Sequence, residues 1–303
     1  MGESMDDSAT HHHAVPRFNL AFLIAITANG LFVICQIFFA YVANSTSLFA
    51  DAIHNLGDVL SLMVAWVGNS SLKRQPTDRS TYGMKKISIL AALANGVLLI
   101  FTCGIIVSEA MYKFFSPAAI DAFTVMSVAA VGIGVNGATA LLFLRGMNDL
   151  NIRAAFMHLV ADALISIGVV FSAILLYWTG WLWIDPAVGL IIAAIILKST
   201  WSLFADSFRL IIDGVPRGIS LIEVRELLKN QAGVRDVHDL HIWALSTQEN
   251  ALSVHLWMPE EPLSDLKRQE LIKKLRKEYH IQHVTIQIER NRTHCEDTCL
   301  PYL

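Results

Sequence analysis

Charge is scarce in this chain of 303 residues: Asp, Glu, Lys and Arg make up 16% of it, against about 25% in an ordinary soluble domain. With 54% apolar residues, the shortage excludes a conventional water-soluble fold for most of the length and makes a bilayer the expected solvent. The net charge is only -3 and the polar portion carries no basic stripe, which excludes nucleic acid or another polyanion as a partner. Cysteine is sparse too. Cys35 and Cys103 stand in apolar runs and Cys295 and Cys299 near the C-terminus, so no disulfide framework is built and a reducing, cytoplasmic setting suits the tail. No cleavable leader is expected: the first apolar run extends from near Asn19 past Tyr41, longer than the roughly 7–15 residues of a signal-peptide core, and no small-residue cleavage site follows.

Six segments approach the roughly 20 apolar residues that span a bilayer: about 19–41, 46–69, 87–112, 122–144, 154–178 and 182–204. Short connections make them one bundle. Lys73, Arg74, Arg79, Lys85 and Lys86 fill the loop between the second and third segments, Arg145 and Arg153 the loop between the fourth and fifth, and Arg17 the N-terminal flank, whereas the opposite side offers Lys113. Basic loops stay in the cytoplasm, so both termini are expected there. Beyond Asp213-Gly214-Val215-Pro216 no further segment is long enough to span. Helical spacing over Ser220–Asn230, strand patterns over Val234–Leu245 and Ala251–Met258, a basic amphipathic helix over Leu263–Tyr279 and a strand over Val284–Ile288 predict an α+β domain of order αββαβ. Such a small domain is marginal alone and is expected to dimerise. The expected divisions are an N-terminal tail 1–18, a membrane domain 19–213, a soluble domain 214–291 and a C-terminal tail 292–303.

The second and fifth segments hold the chemistry. His54 precedes Asp58 by four residues, and His158 precedes Asp162 by four; on a helix that spacing puts each pair on one face, about one turn apart. An ionisable group in hydrocarbon costs about 3 kcal/mol even on insertion scales, so such groups turn inward and find partners. Two imidazoles and two carboxylates make an N2O2 set that zinc accepts tetrahedrally without water, while thiolate and all-oxygen sets are missing. The pairs are expected to form a zinc-type site. Asp51 stands one turn outward of His54, as a helix-end partner or an extra proton-binding carboxylate. Glu109 suits an i,i+4 pair with Lys113, and Asp185 before Pro186 suits the start of its own helix.

Ser47-Leu48-Phe49-Ala50-Asp51-Ala52 leading into His54-x-x-x-Asp58, Thr81-Tyr82-Gly83, His158-x-x-x-Asp162, Trp183-Ile184-Asp185-Pro186, Gly214-Val215-Pro216 with Glu223-Val224, and His238-Asp239-Leu240-His241-Ile242-Trp243-Ala244-Leu245 resemble the cation diffusion facilitator family of the zinc-transporting kind. The resemblance covers nearly the whole chain. It implies a homodimer with six membrane helices per protomer, a ferredoxin-like cytoplasmic domain, and zinc export exchanged for protons by alternating access, with His54, Asp58, His158 and Asp162 as the transport site. It further implies metal-binding positions at His238, His255 and Glu289, where zinc would be a regulatory or structural ligand. Two departures stand out: Gln287 replaces a further histidine of some members, and Lys85-Lys86-Ile87-Ser88 lacks the acidic residue common before the third segment.

His241, His280 and His283 read as ordinary surface or core histidines. His294, Cys295 and Cys299 form a soft-ligand tail that could capture zinc together with His11, His12 and His13, themselves either native or a tag remnant. A membrane metalloenzyme would need an open coordination position and a separate base, and neither is evident; a pure metal sensor leaves the intramembrane charges unexplained. The expectation is a multi-pass transporter, not an enzyme, in a bacterial inner membrane.

Overall fold

The computed structural model describes residues 20–72, 74–143 and 150–291. Within them the chain forms helices α1 (Leu20–Val42), α2 (Thr46–Leu72), α3 (Ile87–Phe115), α4 (Ala122–Phe143), α5 (Leu150–Thr179) and α6 (Ile184–Ile211), then α7 (Leu221–Lys229), β1 (Asp236–Ala244), β2 (Asn250–Trp257), α8 (Asp265–Tyr279) and β3 (Ile281–Glu289). The first six are helices because an apolar segment away from water must satisfy its own amides. Their one proline, Pro186, lies in the first turn of α6, where the missing N–H has no helical acceptor to lose.

Four helical stretches among the described residues are long and apolar enough to cross a membrane: Ile87–Phe115, Ala122–Leu141, Phe156–Thr179 and Ile184–Ile211, with Ile26–Val42 a shorter apolar helix. All six expected segments are therefore helices, but four stand out as clear spans. In α2, Asp51, His54, Asn55 and Asp58 dilute the apolar character. Helix α6 outruns its apolar segment and ends where Asp213 takes a φ of 59° and the Gly214 N–H reaches the Arg209 carbonyl at 2.9 Å. A Cβ at Gly214 would lie 2.9 Å from that carbonyl oxygen, so glycine is required there.

The described residues group into two units, those within 20–56 and 117–188 and those within 57–116 and 189–291. In the first, Asp185 stands in the first turn of α6, as the sequence suggests, and also serves the start of α2. Its carboxylate accepts the hydroxyls of Ser45 and Ser47 at 2.5 Å and the Thr46 N–H at 2.6 Å. The first turn of α2 exposes unpaired N–H groups and the positive end of the helix dipole, and a carboxylate from α6 satisfies both. Asp121 caps α4 through the Thr124 N–H and hydroxyl, bonds that hold its carboxyl below the ordinary carboxylate range.

In the second unit α3 and α6 approach closely: a Cβ on Gly96 would meet Phe204 at 3.3 Å. Residues beyond α6 form a three-stranded sheet of order β1-β2-β3, antiparallel between β1 and β2 and parallel between β2 and β3. The αββαβ order is the one expected. Ser220 and Ser264 cap α7 and α8 by accepting the Glu223 and Lys267 N–H groups, and His280, at φ 54°, ends α8. Leu228, Leu240, Leu252, Leu256 and Leu275 fill the core between helices and sheet. Strand β3 starts at Ile281 rather than Val284 because its parallel register with β2 begins with Asn250 opposite Ile281.

The basic residues before α3 meet this sheet domain. Lys86 Nζ lies 2.6 Å from Asp213 Oδ1 and Lys85 Nζ 2.5 Å from Glu249 Oε2. The Thr247 N–H donates to Ser88 Oγ at 3.2 Å, and Tyr82 meets His283 edge to face.

Candidate metal centres

Helices α2 and α5 place His54 and Asp162 against one another, with His54 Nε2 3.2 Å from Asp162 Oδ1. Both are largely withdrawn from solvent, at 13% and 4% side-chain exposure. His158 lies one turn before Asp162 on α5 with its Nε2 3.9 Å from Asp162 Oδ2, and its side chain is 51% exposed. Asp58 follows His54 by one turn along α2. Asp162 is thus the shared carboxylate: one oxygen faces the imidazole of the opposite helix, the other its own i−4 histidine. Neutral imidazole beside ionised carboxylate is a donor set that accepts either protons or a divalent cation.

A second polar layer lies one turn toward the start of α2. Gln36 Nε2 of α1 donates to Asp51 Oδ2 at 2.6 Å, and Ser166 Oγ of α5 donates to the same oxygen at 3.1 Å. Asn55 Nδ2 donates to Gln36 Oε1 at 3.1 Å. Asp51 is fully buried, so it is an interior carboxylate joining α1, α2 and α5, not a helix-end residue. Neither Gln36 nor Ser166 belongs to a motif in the sequence. The available signal was an amide side chain inside an apolar run, which carries a desolvation cost unless bonded. Glu109 and Lys113 pair at 2.8 Å, as expected.

In the sheet domain the register brings three distant residues together. His238 of β1 stands opposite His255 of β2, and Glu289 ends β3 beside them opposite Trp257. His238 Nε2 lies 3.0 Å from Glu289 Oε2, and His255 Nδ1 lies 3.0 Å from Glu289 Oε1. One ligand atom from each of the three falls within 4.8 Å of the others. Two imidazoles and a carboxylate converging at that spacing fit zinc or a similar divalent metal, with a further position left for water. Gln287 Nε2 donates to Glu289 Oε1 at 2.9 Å, so a neutral amide hydrogen-bonds that carboxylate where a further histidine was the alternative. His283 lies beside Glu249 and Lys85. Cys295 and Cys299, with His11 to His13, lie outside the described residues.

Comparison with known proteins gives this arrangement a context. Residues 22–212 match the model of the cation efflux transmembrane domain, and residues 216–291 that of the cation efflux protein cytoplasmic domain. The chain is 32% identical over 296 residues to a cadmium, cobalt and zinc/H(+)-K(+) antiporter of Bacillus velezensis, covering 96% of this chain and 94% of that one. It is 34% identical over 289 residues to the metal cation efflux system protein CzcD of Cupriavidus metallidurans, covering 93% and 90%. The zinc transporter ZitB of Escherichia coli is 29% identical over 281 residues, covering 92% and 89%. These relatives are membrane transporters of metal cations, not enzymes.

Proposed function

The chain belongs to the cation efflux, or cation diffusion facilitator, family, and on that premise we propose that it exports zinc from the cytoplasm in exchange for protons. Divalent metal-cation efflux is the activity of the family; zinc as cargo, proton antiport and the ligand set are the finer reading. The site would be His54 and Asp58 of α2 with His158 and Asp162 of α5. The observation that carries it is the 3.2 Å approach of His54 to the buried Asp162 across two helices. Zinc needs neutral imidazole and ionised carboxylate, so protons and zinc compete for the same atoms as the site faces one side and then the other.

The proposed organisation is a six-helix membrane domain over residues 19–213 and a ferredoxin-like cytoplasmic domain over 214–291, flanked by tails 1–18 and 292–303. Two copies would associate through the cytoplasmic domain, in line with the match to a family domain of that kind. Lys85 on Glu249 and Lys86 on Asp213 support a loop before α3 on the same side as the sheet domain, hence cytoplasmic termini in a bacterial inner membrane. His238, His255 and Glu289 would bind zinc as a regulatory or structural ligand.

The test is uptake by the purified protein in liposomes, with zinc, cadmium, cobalt, manganese and iron(II) compared under an imposed pH gradient. Zinc accumulation driven by the gradient, and lost in Asp58→Ala and Asp162→Ala, is the expected result. Zinc flux indifferent to the gradient would reject the antiport; no flux of zinc at all would reject the cargo.

A further inference from the structure

We propose that Asp239 is the positioning carboxylate of the cytoplasmic cluster, holding the Nε2 edge of His255 so that Nδ1 is turned toward His238 and Glu289 to bind metal. The inference rests on the reading of His238, His255 and Glu289 as a metal site. It begins with a break in the sheet. Between β1 and β2, His238 pairs with His255 but the next pair is His241 with Ser253, so three residues of β1 span what two of β2 span. This is a β-bulge. Its extra residue lets Leu240 enter the core, at 3% exposure, while His238 and His241 share the outer face.

The bulge is strained at one place. Asp239 takes a φ of 50°, a left-handed conformation unfavourable for an L-residue unless its side chain can bond locally, as that of aspartate can. The compensation is visible. Asp239 Oδ1 lies 3.0 Å from His241 Nε2, and Oδ2 lies 3.5 Å from His255 Nε2. The His255 ring is therefore bracketed: Asp239 at Nε2, Glu289 at Nδ1 at 3.0 Å.

A neutral imidazole has one N–H and one lone pair, on different nitrogens. The two nitrogens point away from one another across the ring, so a carboxylate at Nε2 cannot share an ion bound at Nδ1. Asp239 therefore does not ligate the ion that Glu289, His238 and Nδ1 would hold. By accepting the Nε2 proton it selects the tautomer whose Nδ1 lone pair faces the other two ligands. Metal-ligating histidines commonly hand their second nitrogen to such a carboxylate, and losing it weakens metal binding about 10–100-fold. His241, on the second oxygen, pins the carboxylate in turn.

The experiment uses the full-length protein in detergent with Asp58→Ala and Asp162→Ala silencing the intramembrane site. Zinc affinity is measured by competition, and the His255 tautomer and the nitrogen bearing cadmium are read by 15N NMR. Asp239→Gly relieves the positive φ and removes the carboxylate; Asp239→Asn keeps the shape and removes the charge. Both are expected to keep or raise the thermal stability of the metal-free protein. The glycine variant should bind zinc about 10–100-fold more weakly, the asparagine variant less severely affected, and cadmium should distribute between Nδ1 and Nε2 of His255. Wild-type affinity and unmixed Nδ1 coordination in Asp239→Gly, with binding lost in His238→Ala, would overturn the role of Asp239 alone. Cadmium that stays on His255 in His238→Ala, or no metal on His255 in the silenced background, would overturn the cluster and the inference together.

Discussion

The chain carries two clusters of histidine and carboxylate, and they are assembled by different physics. In the membrane, helical periodicity does half of the assembly: four-residue spacing aligns His54 with Asp58 and His158 with Asp162, and helix packing has only to bring one face of α5 to α2, as the contact of His54 with Asp162 shows. In the sheet domain nothing local helps. His238, His255 and Glu289 are separated by 17 and 34 positions in sequence and meet because strand register aligns them. The surroundings differ as well. Asp162 sits on an interior helix face where an uncompensated charge is costly; Glu289 lies at a sheet edge beside a neutral amide donor. On the proposed reading the membrane cluster would have to release its ion, and protons competing for Asp162 would offer a way out, whereas the sheet cluster would keep its ion and be served by positioning of the kind proposed for Asp239.

The contrast can be broken by substitution. Asp162→Ala should abolish zinc flux in liposomes, by at least the order of 100-fold that loss of a metal's partners brings, whereas His238→Ala should leave flux measurable. Comparable losses in both would erase the distinction. Next in size is the polar layer beside the membrane site: Asp51→Ala strands Gln36 and Ser166 in the interior, and each buried polar group left unsatisfied costs about 1–3 kcal/mol. A fall in melting temperature in detergent is the check.

Asp185→Asn should cost about 1–2 kcal/mol through the weakened cap of α2, again seen as a lower melting temperature, with zinc affinity at the membrane site reduced because that helix carries His54. The smallest effects belong to the junction with the sheet domain. Lys85→Ala breaks a half-buried pair with Glu249 and should cost about 0.5–1 kcal/mol, while Lys86→Ala breaks an exposed pair with Asp213 and should cost no more than about 0.5 kcal/mol. Raising the salt concentration should shrink the second effect more than the first.

The helical pairs were legible because a period of 3.6 residues turns sequence spacing directly into geometry, and the apolar runs marked six helices for the same reason. The αββαβ order was legible from alternation, with ends off by one to three residues where pairing, not pattern, sets the limit. The tertiary partners were not. Asp185 stands in the first turn of α6 as its sequence suggests, yet its carboxylate bonds the start of α2; Asp51, open between a helix-end partner and an extra proton-binding carboxylate, is an interior node with Gln36 and Ser166; and His241, a surface histidine, is bonded to Asp239.

Residue spacing alone determined which side chains share a helix face and which segments seek the bilayer, because both follow from the local backbone repeat and from the transfer of side chains out of water. Only the tertiary structure decided which carboxylate answers which imidazole, and that an inserted residue bends β1 to bring Asp239 beside His255. Those choices depend on register and helix packing between residues far apart in the chain, and no local period encodes them.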